Sequence, residues 1–572
     1  MKKQTVMKWI LLMTLTLLLG ACQKDTPNTS AVDTTAAETT ATPETTAPEP
    51  EKKYQTDASG EVIIDDVAKS VSVQDNAVVF YEIFVGSFSD SNGDGIGDLK
   101  GIMNRMDYLN DGDPDSGKSL GIEGIWLTPV FQSPSYHKYD ITNYYNIDSS
   151  FGSMADLKDL IDLCHTRGVK IILDLPLNHT GRNNSWFTSF RQAHEKGDKE
   201  DPYYDFYSYY TQGETPPAGR HFSAVRNTDI YYECNFSEDM PELNFDSEAV
   251  RQALLEVAKY YLDLGVDGFR FDAAKYPYFG DTNENVSFWV WYMDELKKIK
   301  PDIYAIAEVW DSDSVTDAFF KAVDCFNFTT AQAEGRIAAI AKGGTVGGLM
   351  TYLDKYLKTI RTDRADSLLH LFIANHDTDR AAGYLTADSG NMQMAANLYL
   401  LAPGSPFIYY GEELGMKGSR GSAQTDANRR LAMLWGDSDK IKNPVGSTYS
   451  QASQTAAPAS EQVGDESSLY NYYKRLLMIR RAYPAIARGS FTPLSVSGKA
   501  GGFIASYEGS TVCVLHNPTQ DEISLNIKDL SAEIRFGQIG AVIGAAGDAY
   551  ARLEGDMITI SPKTSAILQP ES

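Results

Sequence analysis

Eight times between residues 78 and 410 the chain repeats one arrangement: a short apolar run, a polar turn, then a stretch with helical periodicity. The apolar runs fall at 78–85, 124–130, 169–175, 266–271, 303–307, 322–328, 368–374 and 406–410. Near-continuous apolar runs suit strands covered on both faces, as parallel strands are. Between them Leu157, Leu160, Ile161 and Cys164 share one helical face, ended by Gly168; Val250, Leu254, Val257 and Tyr261 share another, ended by Gly265. Eight strand–helix units in succession predict an α/β fold, a (β/α)8 TIM barrel. A doubly wound open sheet fits the same count.

The repeat is interrupted once. Between the third apolar run and the helix opening at Ser247 lies a stretch, 181–246, rich in Tyr, Asn and Gly. It reads as a small domain inserted after the third strand. Beyond Gly489 the pattern changes to short runs at 502–507, 511–515, 522–527 and 557–560, which predict a C-terminal antiparallel β-sandwich. The barrel is therefore expected in two parts, 57–180 and 247–488, around an inserted domain 181–246, with the sandwich at 489–572.

The amino terminus carries an address. Lys2, Lys3 and Lys8 precede an apolar run from Trp9 to Leu19, too short to span a bilayer comfortably. It ends Leu19-Gly20-Ala21-Cys22, which resembles a bacterial lipoprotein cleavage site. That resemblance implies a signal peptide 1–21, a lipid on Cys22 and attachment to a membrane outside the cytoplasm. Residues 22–56, dominated by Thr, Ala, Pro and Glu, bury too little apolar surface to fold and read as a disordered tether.

Charge excludes some partners. With 77 acidic against 51 basic residues the net charge is −26, which argues against nucleic acid, since phosphates demand a basic patch. The five cysteines, Cys22, Cys164, Cys234, Cys325 and Cys513, include no CxxC pair, which argues against zinc or iron–sulfur chemistry. A monomer is expected.

In a barrel, chemistry sits on the loops after the strands. Here those loops are rich in ionisable groups: Asp174 to His179 after the third run, Arg270 to Lys275 after the fourth, Glu308 after the fifth, and Asn375-His376-Asp377 after the seventh. A lone Asp at a strand end is usually a helix cap. Three acids, Asp272, Glu308 and Asp377, would converge on one rim, and crowded carboxyls separate their pKa values as acid–base work requires.

These segments resemble the α-amylase family of glycoside hydrolases: DLPLNHT, GFRFDAAKY, AEVW and FIANHD, with MPELN at 240–244 and GSPFIYYGEE at 404–413. MPELN is similar to the motif of the branch between oligo-1,6-glucosidases and neopullulanases. The resemblance implies Asp272 as nucleophile, Glu308 as general acid and base, and Asp377 as transition-state stabiliser. It implies that Arg270 orients Asp272, that His179 and His376 hydrogen-bond the sugar, that Tyr139 stacks on it, and that Asp174 supports this shell. Lys275 lies toward the leaving group. The chain departs from the family at Tyr276, where His is frequent, and at Lys138, where Gly is common.

One loop suggests a cation. Asp90, Asn92, Asp94, the Ile96 carbonyl and Asp98 alternate around Gly93 and Gly95, oxygen donors suited to calcium. Similar loops in relatives bind calcium, and Asn178 resembles a ligand of a second family calcium site. The expected activity is retaining hydrolysis of internal α-1,4 bonds in starch and maltooligosaccharides. The alternatives are a 4-α-glucanotransferase, an exo-acting α-glucosidase and, more remotely, an inactive sugar-binding lipoprotein.

Overall fold

The computed structural model describes residues 55–56, 62–63, 70–71, 73–386 and 390–571. The expected signal peptide, Cys22 and most of the tether lie outside them.

The barrel strands are β1 (Phe80–Ile83), β2 (Gly124–Leu127), β3 (Lys170–Pro176), β4 (Gly268–Asp272), β5 (Tyr304–Ala307), β6 (Asp324–Cys325) and β7 (Phe407–Tyr409). They form one parallel sheet in the order β6-β5-β4-β3-β2-β1-β7. The run at 368–374, expected as a regular strand, is not one. It fills the gap between β6 and β7 with a single bridge, Phe326 to His370. Its carbonyls alternate outward as a strand's do: Leu369 and Leu371 accept from Ser405 and Phe407, His370 from Asn327. The Leu368 N–H, however, goes to the Asp324 side chain at 3.0 Å, so the ladder is incomplete.

Period-two alternation explains the lumen. Phe80, Trp126, Ile172, Tyr304, Ile306, Phe326 and Phe407 pack inside as an apolar plug. Two residues further along the same faces stand Glu82 on β1, Asp174 on β3, Arg270 on β4 and Glu308 after β5. The plug thus carries a charged layer on its upper side. Gly268, in register with Tyr304, permits the close approach of β4 and β5: a Cβ there would lie 1.7 Å from the Tyr304 carbonyl oxygen.

The helices follow the sequence pattern. Helix α1 (Met154–Thr166) opens on a Ser153–Asp156 capping box and buries Leu157, Leu160, Ile161 and Cys164. Helix α2 (Glu248–Leu264) buries Val250, Leu254, Val257 and Tyr261 and stops at left-handed Gly265. The inserted segment contains a helix (Ser185–Lys196) and a three-stranded antiparallel sheet. Its return strand joins the loop after β3: Leu243 N–H donates to the Asn178 carbonyl (2.9 Å) and Thr180 N–H to Pro241 (3.0 Å).

Two five-stranded antiparallel sheets enclose the C-terminal core of Leu515, Phe536, Val542, Ile558, Ile560 and Leu568. Four of their C-terminal strands, Thr492–Pro493, Phe536–Gly544, Tyr550–Glu554 and Thr564–Pro570, lie outside the expected runs. One sheet also recruits Gln55–Thr56 and Val62–Ile63. These pairs join a sheet edge supplied elsewhere in the chain, which local composition cannot announce. The four cysteines among the described residues are buried and unpaired.

Candidate active site

Arg270 is the hub. Fully buried on β4, it places one guanidinium among three carboxylates. Nη1 donates to Asp174 (2.8 and 3.0 Å) and to Asp272 Oδ1 (2.6 Å); Nη2 donates to Glu308 Oε2 (2.9 Å). The strands dictate this. Asp174 is the register partner of Arg270 on β3, Asp272 ends β4 on the same face, and Glu308 follows β5. The Trp126 ring lies beneath the guanidinium at 5.2 Å.

After Asp272 the backbone turns sharply, with Ala273 at φ 50°. This left-handed conformation costs a non-glycine residue energy and marks a place where geometry outweighs strain. It aims the Ala273 N–H at Glu308 Oε2 (3.1 Å). Burial, opposed chiefly by Arg270, pushes the Glu308 carboxyl up to about 7. A group titrating there suits general acid catalysis near neutrality. Burial likewise pushes Asp174 upward against the pull of Arg270.

Across the cleft Asp377 accepts from Arg430 Nη2 (2.7 Å) and pairs with His376 Nε2 (3.0 Å). Burial would raise Asp377, but His376 and Arg430 hold it well below the usual carboxylate range. Burial would lower His376, but Asp377 and Glu82 lift it to about 10. Tyr139, buried, donates its hydroxyl to Asp174 (2.9 Å) and meets His376 Nε2 at 2.7 Å, with its ring parallel to the imidazole. His179 has neither ring nitrogen bonded among the described residues, and burial lowers it to about 4, so it stands neutral. Lys275 donates to the Trp310 carbonyl (2.7 Å) and to Asp311 (2.9 Å), tying β4's loop to the loop that carries Glu308.

Asp272, Glu308, Asp377, Tyr139, His179 and Lys275 line one cleft of about 890 Å³, and Asp174, Arg270 and His376 stand buried behind them. Tyr276 and Lys138, the departures from the family pattern, are accommodated. Tyr276 packs on Phe236 of the inserted segment (4.7 Å). Lys138 takes the left-handed conformation that explains glycine's frequency there (φ 67°) and anchors on Asp148 (3.0 Å) and the Ser133 carbonyl (3.1 Å). Sequence reasoning passed over Glu82, Arg430, Phe236 and Trp310. For Glu82 a signal existed, an acid inside an apolar strand. Arg430 and Phe236 lie in irregular loops whose course only the folded chain defines.

The 90–98 loop lies apart from the cleft. Asp90 accepts from Asn92, Gly93 and Gly95 N–H, Asn92 from Asp94, Asp94 from Ile96, and Asp98 caps the next helix through Gly101 N–H. Among the described residues no three Asp, Glu, His or Cys side chains form a metal-binding group. Asn178 is buried, and among the described residues neither its amide oxygen nor its nitrogen completes a hydrogen bond of good geometry. Burial pushes the neighbouring Glu242 up to about 8.

Comparison with known proteins places this geometry. The family model described as "Alpha amylase, catalytic domain" matches residues 82–489. Alpha-amylase 3 of Dictyoglomus thermophilum is 35% identical over 459 residues, covering 79% of this chain and 86% of that protein. The 4-alpha-glucanotransferase of Thermotoga maritima is 33% identical over 350 residues, covering 60% of this chain and 73% of that one. The solved structure of Eubacterium rectale Amy13B superposes with a TM-score of 0.80 at 32% identity, covering 88% and 97% of the two chains.

Proposed function

The chain belongs to the α-amylase family of glycoside hydrolases, and from that premise we propose that it cleaves internal α-1,4 bonds of starch and maltooligosaccharides with retention. The observation that carries this reading is the single guanidinium of Arg270 joining Asp272 and Glu308 at the floor of an open cleft. One cation keeps both carboxyls close to the same anomeric carbon, as double displacement requires.

Arg270 takes Oδ1 of Asp272, leaving Oδ2 to attack C1 of the −1 glucose. Glu308 gives its proton to the departing glycosidic oxygen as the C1–O bond breaks. Glu308, now a carboxylate, takes a proton from water, which attacks C1 and releases Asp272. Positive charge grows on the ring between Asp272 and Asp377, and the ionised Asp377 offsets it. His179, His376 and Tyr139 bind and orient the sugar.

Calcium in the 90–98 loop is part of the proposal. The donors are hard oxygens, and Gly93 and Gly95 (φ 87° and 95°) fold the loop tightly. Asp90, Asn92, Asp94, the Ile96 carbonyl and Asp98 would hold the ion, exchanging internal N–H bonds for it. Asn178, buried beside Glu242, would serve a second calcium. Both ions would stabilise the fold. A lipid on Cys22 would hold the enzyme, as a monomer, at the outer face of the cell envelope.

The deciding experiment is a product time course on amylose, pullulan and maltotriose with NMR of the first anomer released. Mixed oligosaccharides from amylose, born as α-anomers, support the reading. Glucose alone indicates an exo-acting enzyme. Products longer than maltotriose formed from maltotriose itself indicate transfer, the activity named for the Thermotoga maritima relative. First-formed β-anomers refute retention.

A further inference from the structure

Glu82 belongs to no motif and touches no part of the cleft surface. It projects inward from β1 and is 1% exposed. Its Oε1 meets His376 Nδ1 at 2.5 Å and the His376 N–H at 3.3 Å. On the other edge of the imidazole, Nε2 lies 2.7 Å from the Tyr139 oxygen and 3.0 Å from Asp377 Oδ2.

The proton positions follow from these partners. The Tyr139 hydroxyl spends its proton on Asp174 at 2.9 Å, so its oxygen accepts and Nε2 must donate. Nδ1 faces a carboxylate, so it must donate too. A ring with both nitrogens donating is an imidazolium. Two carboxylates on opposite edges stabilise it, and a buried carboxylate on β1 in turn requires a cation beside it.

We infer that Glu82 is a positioning residue for the proposed glycoside chemistry, holding His376 as an imidazolium whose Nε2–H is fixed toward Tyr139, Asp377 and the sugar. The inference rests on the reading of the cleft as a glycoside hydrolase site. The remaining charged groups are consistent with it. Arg430 donates to the His376 carbonyl (3.0 Å) and pairs with Asp377, while Arg270 pairs with Asp174, so each cation is committed to a carboxylate or carbonyl other than Glu82. Glu82 is therefore the carboxylate whose described partner is His376, and removing its charge removes half the imidazolium's support. His376 lies at about 10 with both carboxylates in place.

The test combines histidine-ring NMR with kinetics, in the wild type and in Glu82→Gln, which keeps shape and an acceptor but not the charge. The protein has eight histidines, so ring signals are few, and His376 is identified by its absence in His376→Asn. In the wild type the His376 ring should stay protonated from pH 5.5 to 8.5. A wild-type ring that titrates near the ordinary histidine value overturns the inference without any variant. In Glu82→Gln the ring should titrate within that window. The variant's kcat/KM on maltotetraose should be at least tenfold below wild type at pH 8 and recover toward it at pH 5.5. A variant-to-wild-type ratio independent of pH would reduce Glu82 to a packing role and overturn the inference. A wild type that hydrolyses no α-glucan would overturn the underlying functional reading instead, and the NMR arm would still decide whether Glu82 holds the charge on His376.

Discussion

Replacing Arg270 by lysine keeps the charge and removes the fork. Nη1 serves Asp174 and Asp272 at 2.8 and 2.6 Å, and Nη2 serves Glu308 at 2.9 Å. One ammonium cannot stand in both places. The Asp174–Asp272 side offers two carboxylates, so the lysine nitrogen should settle there and Glu308 should lose its charged donor. A hydrogen bond to a charged group is worth about 1.5–3 kcal/mol. At roughly 1.36 kcal/mol per tenfold, kcat/KM should fall about 10- to 160-fold. The pH profile should move as well. Burial raises Glu308 to about 7, and Arg270 is the main influence holding it down, so losing Nη2 raises it further. Activity that requires protonated Glu308 is lost as pH rises through its pKa, so the alkaline limb should shift to higher pH. Initial rates on maltotetraose from pH 5 to 9, with circular dichroism to verify folding, measure both effects. A kcat/KM within twofold of wild type and an unmoved alkaline limb would refute the hub role of Arg270.

Glu308→Gln should lose about 10²–10⁴-fold on maltooligosaccharides, yet release a burst of about one fluoride per active site from α-maltosyl fluoride, whose leaving group needs no proton; no burst means Glu308 is not the acid. Excess chelator should lower the melting temperature by removing ligand linkage, worth about 2.7 kcal/mol when calcium stands at 100 times its Kd; an unchanged melting temperature with no calcium retained on dialysis would sink the calcium proposal. Gly268→Ala forces a methyl against the backbone of β5, where no side chain can yield. It should cost at least about 1–3 kcal/mol, read as a lower urea midpoint, and an unchanged midpoint would refute the close β4–β5 approach.

Much of the fold was legible because its signals are local. Apolar runs and helical faces announced β1 to β7, α1 and α2, since each element needs only its own residues to declare which side is buried. The carboxylates at the strand ends were legible for the same reason: a strand fixes direction, and direction places Asp272 and Glu308 on one rim. The 368–374 run shows the limit. Its composition is that of a strand, but its pairing depends on the neighbours that close the barrel, and one of its N–H groups goes to Asp324 instead. The pairing of Val62–Ile63, and through it of Gln55–Thr56, with a C-terminal sheet was hidden for the same cause: the partner strand of Val62–Ile63 lies almost five hundred residues away.

By itself the sequence determined the succession of eight strand–helix units, the excess of negative charge and the identities of the acids at the strand ends. Only tertiary structure decided how that charge is compensated. Which carboxylates share Arg270, that Arg430 pairs with Asp377, and that Glu82 stands behind His376 are consequences of barrel closure. The physical reason is distance. A charge's influence falls steeply with separation and with solvent, and Glu82 on β1 and Arg430 after β7 come within about 3 Å of the His376–Asp377 loop after the 368–374 run only when the barrel is closed around its apolar plug.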